Sequence, residues 1–209
     1  MIITDIIKAE EKERNRIAAE LHDNVNQLLV SARLYIGLEK RKLNEESEFL
    51  EKADEQLGMA IEEIRDLTRR LSTAFITSEG LLKGVSEIAM NMQKLKDIEL
   101  RIDMPDAVID ILANDQQLMV YRIIQEQTSN ILKYAETKKA AISLQVVNNE
   151  VELVISDNGK GFDAMEQKLR GIGFSNIFNR VDAYDGKMEI ISSPGNGCKL
   201  VITFPIKES

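Results

Sequence analysis

Apolar positions in the first part of the chain follow two helical series separated by a polar stretch. Within each series the spacing alternates between three and four residues, and the members are Ala18, Leu21, Val25, Leu28, Ala32 and Tyr35, then Leu50, Ala53, Leu57, Ala60, Ile64, Leu67 and Leu71. This is the heptad pattern of helices that pack along a seam. Residues 41–47, with Asn44, suit a turn. The pattern therefore predicts a helical hairpin domain over residues 1–75.

The predicted hairpin is too thin to bury its own seams, because two helices alone leave apolar side chains in contact with water. We therefore expect it to pair with a second copy and form a four-helix bundle in a homodimer. The alternative is a monomeric hairpin that packs against the remainder of the chain.

Residues 76–209 mix helical and β-rich segments. Helical spacing is found over 80–94 and 115–134, and β-rich segments are found over 140–147, 151–156, 188–192 and 198–204. The pair Asn148-Asn149 and the run 193–196 suit tight turns between consecutive strands. Helices and strands do not alternate strictly, which favours an α+β fold. We therefore expect a second domain here, an α/β sandwich that follows the hairpin.

Composition and charge narrow the classes of function. The chain has 209 residues, is 44% hydrophobic and 30% charged, and carries a formal net charge of −8. This composition supports a packed core, while the acidic balance argues against nucleic-acid binding, which needs a basic surface. Cys198 is the only cysteine, so no disulfide framework is expected. No apolar run is long enough to span a membrane and no signal peptide is recognisable, so we expect a cytoplasmic chain without membrane contact.

His22, the only histidine, is followed directly by Asp23 on the first predicted helix. If the apolar series forms the seam, helical geometry puts His22 on its flank, near water. A neutral imidazole nitrogen is a competent nucleophile there, and Asp23 is placed to hold or deprotonate the ring. Gln27, one turn after Asp23, is placed to orient a water. The alternative is a solvated surface histidine beside a carboxylate.

The run 157–162 follows a predicted strand directly and suits a nucleotide base. Asp157 can accept a hydrogen bond from an adenine amino group, and Gly159 and Gly161 let the backbone approach a ligand. The alternative is an ordinary turn.

Two further glycine pairs lie downstream. Gly171 and Gly173 precede a helix-like stretch, 174–184, and free amides at a helix start favour phosphate. Gly195 and Gly197 lead into the last predicted strand. Each pair alone is a weak signal, because a simple turn uses the same residues.

Upstream, Glu126, Asn130 and Lys133 fall on one face of the predicted helix 115–134. Oxygen ligands such as Asn130 and Glu126 suit a magnesium ion that keeps most of its waters, and Lys133 can reach a phosphate. The alternative is a solvated charged face, but the order of all these elements along one chain favours a nucleotide site.

These segments together resemble a known family. Residues 13–27, with Glu-Leu-His-Asp at 20–23, look like the phosphoacceptor helix of the sensor histidine kinases that pair with nitrate-response and membrane-fluidity type regulators. The later segments look like the N, G1, G2 and G3 boxes of the GHKL ATPase superfamily, which is shared with gyrase and Hsp90. The resemblance covers roughly residues 10–206.

The resemblance implies an ATP-dependent histidine kinase of a two-component system. His22 would take the γ-phosphate of ATP with Asp23 as general base, and would pass it to an aspartate on the receiver domain of a response regulator. Asp23 and Gln27 match the family's DxxxQ pattern, which implies phosphatase activity toward that regulator. The resemblance also implies that the chain is a soluble core or the cytoplasmic part of a membrane-bound sensor.

The resemblance assigns the nucleotide site as well. Asn130, with Glu126 beside it, would bind Mg²⁺, Asp157 would read adenine, Lys133 would face a phosphate, and Thr203 in the final strand would help on the adenine side. The glycines of the boxes would shape the pocket or flank the ATP lid, and they are Gly159, Gly161, Gly171, Gly173, Gly195 and Gly197.

Two positions depart from the family pattern, and two rival functions stay open. Tyr134 stands where many relatives have histidine or phenylalanine, and Asn26 replaces a common glycine, but neither change removes a reacting group. One rival is a dimeric scaffold that docks a regulator without catalysis, which intact Asn130 and Asp157 disfavour. The other is a GHKL ATPase or protein-serine kinase without a histidine intermediate, which the presence of His22 disfavours.

Overall fold

A computed structural model describes residues 2–43, 48–71, 80–163 and 172–207 of the chain. The chain divides into two compact units, Asp5–Phe75 and Ile76–Ser209, and the second also includes Met1–Thr4. Among the helices of the described residues, none is both long enough and apolar enough to cross a membrane.

The first unit is helical, as the apolar spacing predicts. Its elements are α1 (Ile2–Glu20), a π-helical segment (Leu21–Asn26), α2 (Gln27–Leu43) and α3 (Glu48–Leu71). Helix α3 packs against α2 and the π-helical segment. Nε of Arg33 on α2 donates to Oδ1 of Asp54 on α3 at 2.8 Å. The two predicted helices are therefore present and paired, while part of the predicted turn, residues 44–47, lies outside the described residues.

The seam of the hairpin differs from the predicted one after the π-helical segment. Up to Val25 the predicted positions are buried or half-buried, and Ala32 is half-buried as predicted, but Leu28 and Tyr35 are 70% and 71% exposed. Their neighbours Leu29 and Ile36 are half-buried instead. The hydrogen bonds of a π-helix span one residue more than those of an α-helix, so the segment shifts the following positions by one residue. Leu28 and Tyr35 are thus moved out of this seam.

Helix α3 follows its predicted pattern more closely. Five predicted seam residues are half-buried, Leu50, Ala53, Leu57, Ala60 and Ile64, and Ile61, which is not in the predicted series, is buried. Leu67 departs from the prediction, because it is 41% exposed near the end of the helix.

The second unit is an α+β domain, which confirms the predicted fold class. Its helices are α4 (Leu81–Lys96), α5 (Asp106–Ile109), α6 (Asn114–Asn130), a π-helical continuation of α6 (Ile131–Ala135) and α7 (Ile172–Asp182). Its strands are β1 (Glu99–Asp103), β2 (Lys139–Val147), β3 (Glu150–Asp157), β4 (Lys187–Ser192) and β5 (Cys198–Pro205). All helices and strands predicted for this part of the chain are present.

The five strands form one mixed sheet in the order β1-β2-β3-β5-β4. Strand β1 pairs parallel with β2, and the other neighbours pair antiparallel. Asn148 and Asn149 both have positive φ, 50° and 68°, as a two-residue hairpin of type I′ requires. Strand β1 is not among the predicted strands. Its five residues do alternate between polar and apolar side chains, as in a half-buried strand, but the span is short.

One face of the sheet carries the core. Helices α4, α6 and α7 contact the strands. The inward side chains of the two central strands have no exposed surface, and they are Val151, Leu153, Ile155, Leu200, Ile202 and Phe204. Because β3 and β5 are antiparallel neighbours, the last residue of β3 lies beside the first residue of β5. The register pairs Asp157 with Cys198 at this edge of the sheet, where the candidate site lies.

Candidate active site

His22 and Asp23 lie side by side in the π-helical segment of the hairpin. Their side chains are 65% and 69% exposed, and Nδ1 of His22 is 3.0 Å from Oδ1 of Asp23. In the neutral ring this contact favours the tautomer with its proton on Nδ1, which leaves the lone pair on Nε2. The surface position predicted for His22 is confirmed, and its role as a nucleophile through Nε2 remains a prediction.

Gln27 is the first residue of α2 and follows the π-helical segment directly. Its side chain is exposed, and its backbone N–H donates to the carbonyl of Asn24. Gln27 and Asp23 therefore both stand at the surface of one continuous helix, four residues apart. An amide and a carboxylate at this spacing are groups that can orient a water, and that role remains a prediction.

Asp157 ends β3 with its carboxylate half-buried. Oδ1 accepts the backbone N–H of Gly159 at 2.9 Å, and the backbone N–H of Cys198 also donates to the carboxylate. Burial raises the pKa of Asp157, and these two N–H groups act in the opposite direction. The carboxylate is therefore held in one orientation, with capacity to accept a further donor.

Backbone hydrogen bonds tie the loop after β3 to two neighbouring segments. Lys160 N–H donates to the carbonyl of Ala135 at 2.8 Å, at the end of the π-helical continuation of α6. From the turn before β5, Gly195 N–H donates to Lys160 at 2.6 Å and Gly197 N–H donates to Gly159 at 2.9 Å. A Cβ atom on Gly159 would collide with the carbonyl of Ala135, so only glycine fits there. The structure thus brings together three of the four predicted segments.

The remaining predicted glycines of the site are Gly161, Gly171 and Gly173. Gly161 has a φ of +58°, and a Cβ there would collide with the carbonyl of Ser193. Gly173 lies in the first turn of α7. Gly171 lies outside the described residues. Phosphate contacts by Gly171 and Gly173 therefore remain predictions.

Thr203 does not lie at the end of the sheet where Asp157 lies. It pairs with Glu152 on β3 and Lys187 on β4, five residues along β5 from the residue that faces Asp157. That residue is Cys198, which is 6% exposed. The expected position of Thr203 on the adenine side thus finds no support in the strand register.

Glu126 and Asn130 lie on the last turns of α6 and are half-buried. Lys133 is exposed and lies in the π-helical continuation, Ile131–Ala135. The α-helical spacing used for the prediction therefore holds from Glu126 to Asn130, while the wider turn changes the direction of Lys133.

The donors around Asn130 fit magnesium better than a metal held wholly by protein. Within the described ranges, no group of three His, Cys, Asp or Glu side chains is placed to hold a metal ion. Mg²⁺ keeps several waters and takes one or two protein oxygens together with phosphate oxygens. The amide oxygen of Asn130 and the carboxylate of Glu126 are donors of this kind.

Sequence reasoning misses three buried residues around the candidate nucleotide site. Gln127 on α6 and Thr137 before β2 are 2% and 7% exposed, and Cys198 starts β5. The Thr137 hydroxyl accepts the backbone N–H of Lys139 at 3.1 Å and contacts the side-chain oxygen of Asn158, next to Asp157. A polar residue on the inward face of α6 is the one signal in the sequence that points to Gln127.

An exposed histidine on a helical hairpin, followed by a glycine-bordered carboxylate at a sheet edge, is the arrangement of histidine kinase domains. Residues 13–74 match a family described as "Histidine kinase". Residues 115–208 match the family described as "Histidine kinase-, DNA gyrase B-, and HSP90-like ATPase". The chain therefore belongs to the histidine kinases that combine these two domains.

Curated relatives carry sensor names. The chain is 30% identical to the sensor histidine kinase MctS of Rhizobium johnstonii over 96% of its own length and 44% of that protein. It is 27% identical to the sensor histidine kinase LiaS of Bacillus subtilis over 93% of its length and 54% of that protein. It is 32% identical to the sensor histidine kinase ComP of Bacillus subtilis over 91% of its length and 26% of that protein. The chain thus spans about half the length of the first two relatives.

Solved structures agree with the fold. The histidine kinase domain of the blue-light activated histidine kinase EL346 from Erythrobacter litoralis matches with a TM-score of 0.56 and 14% sequence identity. The match covers 95% of this chain and 94% of that domain. At this level of identity the likeness establishes the fold.

Proposed function

We propose that this chain is the catalytic core of a two-component sensor kinase, which phosphorylates its own His22 from Mg-ATP. The observation that carries the proposal is the exposed His22–Asp23 pair, in which Nδ1 is engaged and Nε2 is the nucleophile. Membership of both family domains supports a nucleotide site and a phosphoacceptor in one chain.

The transfer requires an in-line approach of Nε2 to the γ-phosphorus. The N–P bond forms while the bond to the bridging oxygen of ADP breaks, and the electron pair leaves with ADP. As the ring gives up its lone pair, the proton on Nδ1 becomes acidic. Asp23 accepts that proton, so that the imidazole ring of the phosphohistidine is left without a positive charge. The carboxylate acts as general base through the atom that it contacts in the structure.

In this proposal the α+β domain orients the nucleotide. Asp157 accepts the adenine amino group, Asn130 and Glu126 hold Mg²⁺, and Lys133 faces a phosphate. The ion neutralises charge on the phosphates when bound. The glycine-rich loops keep the backbone close to the ligand, and they are formed around Gly159, Gly161, Gly171, Gly173, Gly195 and Gly197.

We further propose a homodimer and a receiver-domain partner. Five apolar side chains of α2 are between 45% and 71% exposed, and they are Leu28, Val30, Leu34, Tyr35 and Leu38. Such a surface on a monomer is typical of an interface, and a second hairpin covers it in a four-helix bundle. The phosphate on His22 then passes to a receiver aspartate, and Asp23 with Gln27 supports hydrolysis of the phosphoaspartate on that partner, which releases inorganic phosphate.

Incubation with γ-labelled ATP tests the proposal. The wild type should incorporate label that is lost in acid, His22→Gln should incorporate none, and Asn24→Gln, an exposed change two residues away, should label normally. Chase onto a receiver domain should transfer the label.

Three other results would each overturn the proposal. Undiminished label in His22→Gln, or acid-stable label, would favour a serine kinase without a histidine intermediate. Absence of ATP binding by calorimetry would favour a scaffold without catalysis.

A further inference from the structure

Gln127 is a polar residue in a place that water does not reach. It lies on α6, one turn before Asn130, and is 2% exposed. A buried amide without hydrogen bonds is costly, so its two polar groups are expected to have partners in the fold. Both partners belong to the nucleotide site.

The oxygen end of the Gln127 amide is turned toward Asn130. Nδ2 of Asn130 donates to Oε1 of Gln127 at 3.4 Å. The nitrogen end is turned the other way, with Nε2 at 4.0 Å from Sγ of Cys198. Both contacts are long, so each is weak, but together they define which end of the Gln127 amide faces which neighbour.

This orientation decides which atom Asn130 presents to a ligand. Its side chain has one oxygen and one NH₂ group, and a metal ion accepts only the oxygen. When Gln127 engages the NH₂ group, Oδ1 is the end left for the ion. Rotating the Asn130 amide by half a turn would break this contact and point NH₂ at the cation.

Cys198 extends the same chain of contacts to the base end of the pocket. Its backbone N–H donates to Asp157, and burial together with the charge of Asp157 raises the pKa of its thiol to about 12. The sulfur is therefore a neutral, protonated group at physiological pH and a weak acceptor for the Gln127 amide.

We infer that Gln127 is a positioning residue, which fixes the Asn130 amide with Oδ1 toward Mg²⁺ and joins the metal end of the pocket to its base end. The inference rests on the proposed function, because it takes Asn130 as the magnesium ligand. Residues that orient a metal ligand typically change metal affinity by about 10- to 100-fold when removed. The same range is expected here for the Mg²⁺ dependence of nucleotide binding.

The test compares Gln127→Leu with Gln116→Leu in the full chain. Gln116 is a matched control, because it is 1% exposed on the same helix and donates instead to the carbonyl of Pro205, away from Asn130. Binding of a fluorescent ATP analogue is measured with excess chelator and then as Mg²⁺ is added. Gln127→Leu should raise the half-saturating Mg²⁺ concentration by about 10- to 100-fold and leave chelator binding unchanged. Gln116→Leu should change neither.

Conservative variants keep the inference falsifiable if Gln127→Leu fails to fold by circular dichroism. Gln127→Glu retains an acceptor oxygen for Asn130 and should stay near wild type, whereas Gln127→Met keeps the length without that oxygen and should behave as Leu. Equal Mg²⁺ dependence in Gln127→Met and wild type would overturn the inference. Absence of any Mg²⁺ dependence in the wild type would instead contradict the proposed metal site.

Discussion

At the scale of single residues, partial burial of Asp157 disfavours its charged form. The Asp157 carboxylate is half-buried, and burial raises its pKa above the ordinary value of 3.8 in spite of two donating N–H groups. A carboxylate that has lost part of its hydration gains more from a new donor than one in water does. The same burial that lowers the stability of the ionised group would therefore strengthen the proposed hydrogen bond from an adenine amino group.

Asp157→Asn is expected to separate stability from ligand binding. The amide can still accept the Gly159 N–H, but it carries no charge to desolvate, so the ATP-free protein should keep or gain thermal stability at neutral pH. ATP affinity should fall by about 10- to 100-fold, since a hydrogen bond to a charged group contributes about 1.5–3 kcal/mol. Thermal melts without nucleotide and titration calorimetry with ATP measure the two effects.

The pH dependence of stability checks the physical cause of that result. Because the folded-state pKa of Asp157 is above the unfolded value, the folded protein holds this proton more tightly, and the stability contributed by the group falls as pH rises from 3.8 through the raised pKa. The Asn variant should lack this part of the slope. Identical slopes in the two proteins would rule out the explanation.

For single residues, the sequence identifies the side chains with candidate roles in binding or catalysis. It does not identify the buried side chains that contact them. His22, Asp157 and Asn130 are recognisable because their types and order fit a reaction. Gln127 and Cys198 are not, because they are 71 positions apart in the chain and meet only when α6 packs on the sheet. Burial and strand register, which no local pattern contains, give them their neighbours.

Among the elements, the π-helical segment of the hairpin has the largest effect on the predicted arrangement. Heptad spacing assumes α-helical turns throughout, and it assigns Leu28 and Tyr35 to the seam. The sequence does not reveal the shift, because Leu29 and Ile36 are equally apolar and satisfy the seam one residue later. A run with apolar residues on adjacent positions fits both registers, so only packing against α3 distinguishes them.

Asn26→Leu is expected to stabilise the helical unit. Asn26 ends the π-helical segment, and among the described residues its Oδ1 is buried with no hydrogen-bond partner. Removing an unsatisfied buried acceptor should increase the free energy of unfolding by about 1–3 kcal/mol. Calorimetric melting of the full chain measures the shift, and Asn24→Leu, at an exposed position of the same segment, is the control. A lower melting temperature for Asn26→Leu than for the control would count against this account.

On the scale of the whole molecule, the α+β fold follows from the sequence while the arrangement of its sheet does not. Turn chemistry predicts the β2–β3 and β4–β5 hairpins, because each is local. The insertion of β5 between β3 and β4, and the parallel pairing of β1, depend on contacts between distant segments. The exposed face of α2 is likewise a property of the assembled hairpin, and it leads to the next prediction.

Leu34→Glu is expected to dissociate the proposed dimer. Leu34 is 63% exposed on α2, and it lines an apolar groove with Val30 and Leu38. A charge in the centre of a buried interface is strongly unfavourable, so sedimentation should move from dimer to monomer. The matched control is Leu95→Glu on α4, where the side chain is 61% exposed and the dimer should persist. Unchanged sedimentation of Leu34→Glu would place the interface elsewhere.

The single imidazole of the chain has a practical consequence for spectroscopy. Because His22 is the only histidine in the sequence and its ring is largely exposed, an untagged sample should give one set of imidazole resonances in a magnetic-resonance spectrum. Protonation, phosphoryl attachment and hydrolysis can then be followed at that ring in real time, with no isotope placed at a chosen site. The histidines of a polyhistidine purification tag would give overlapping resonances, so the tag must be removed before the His22 ring can be observed.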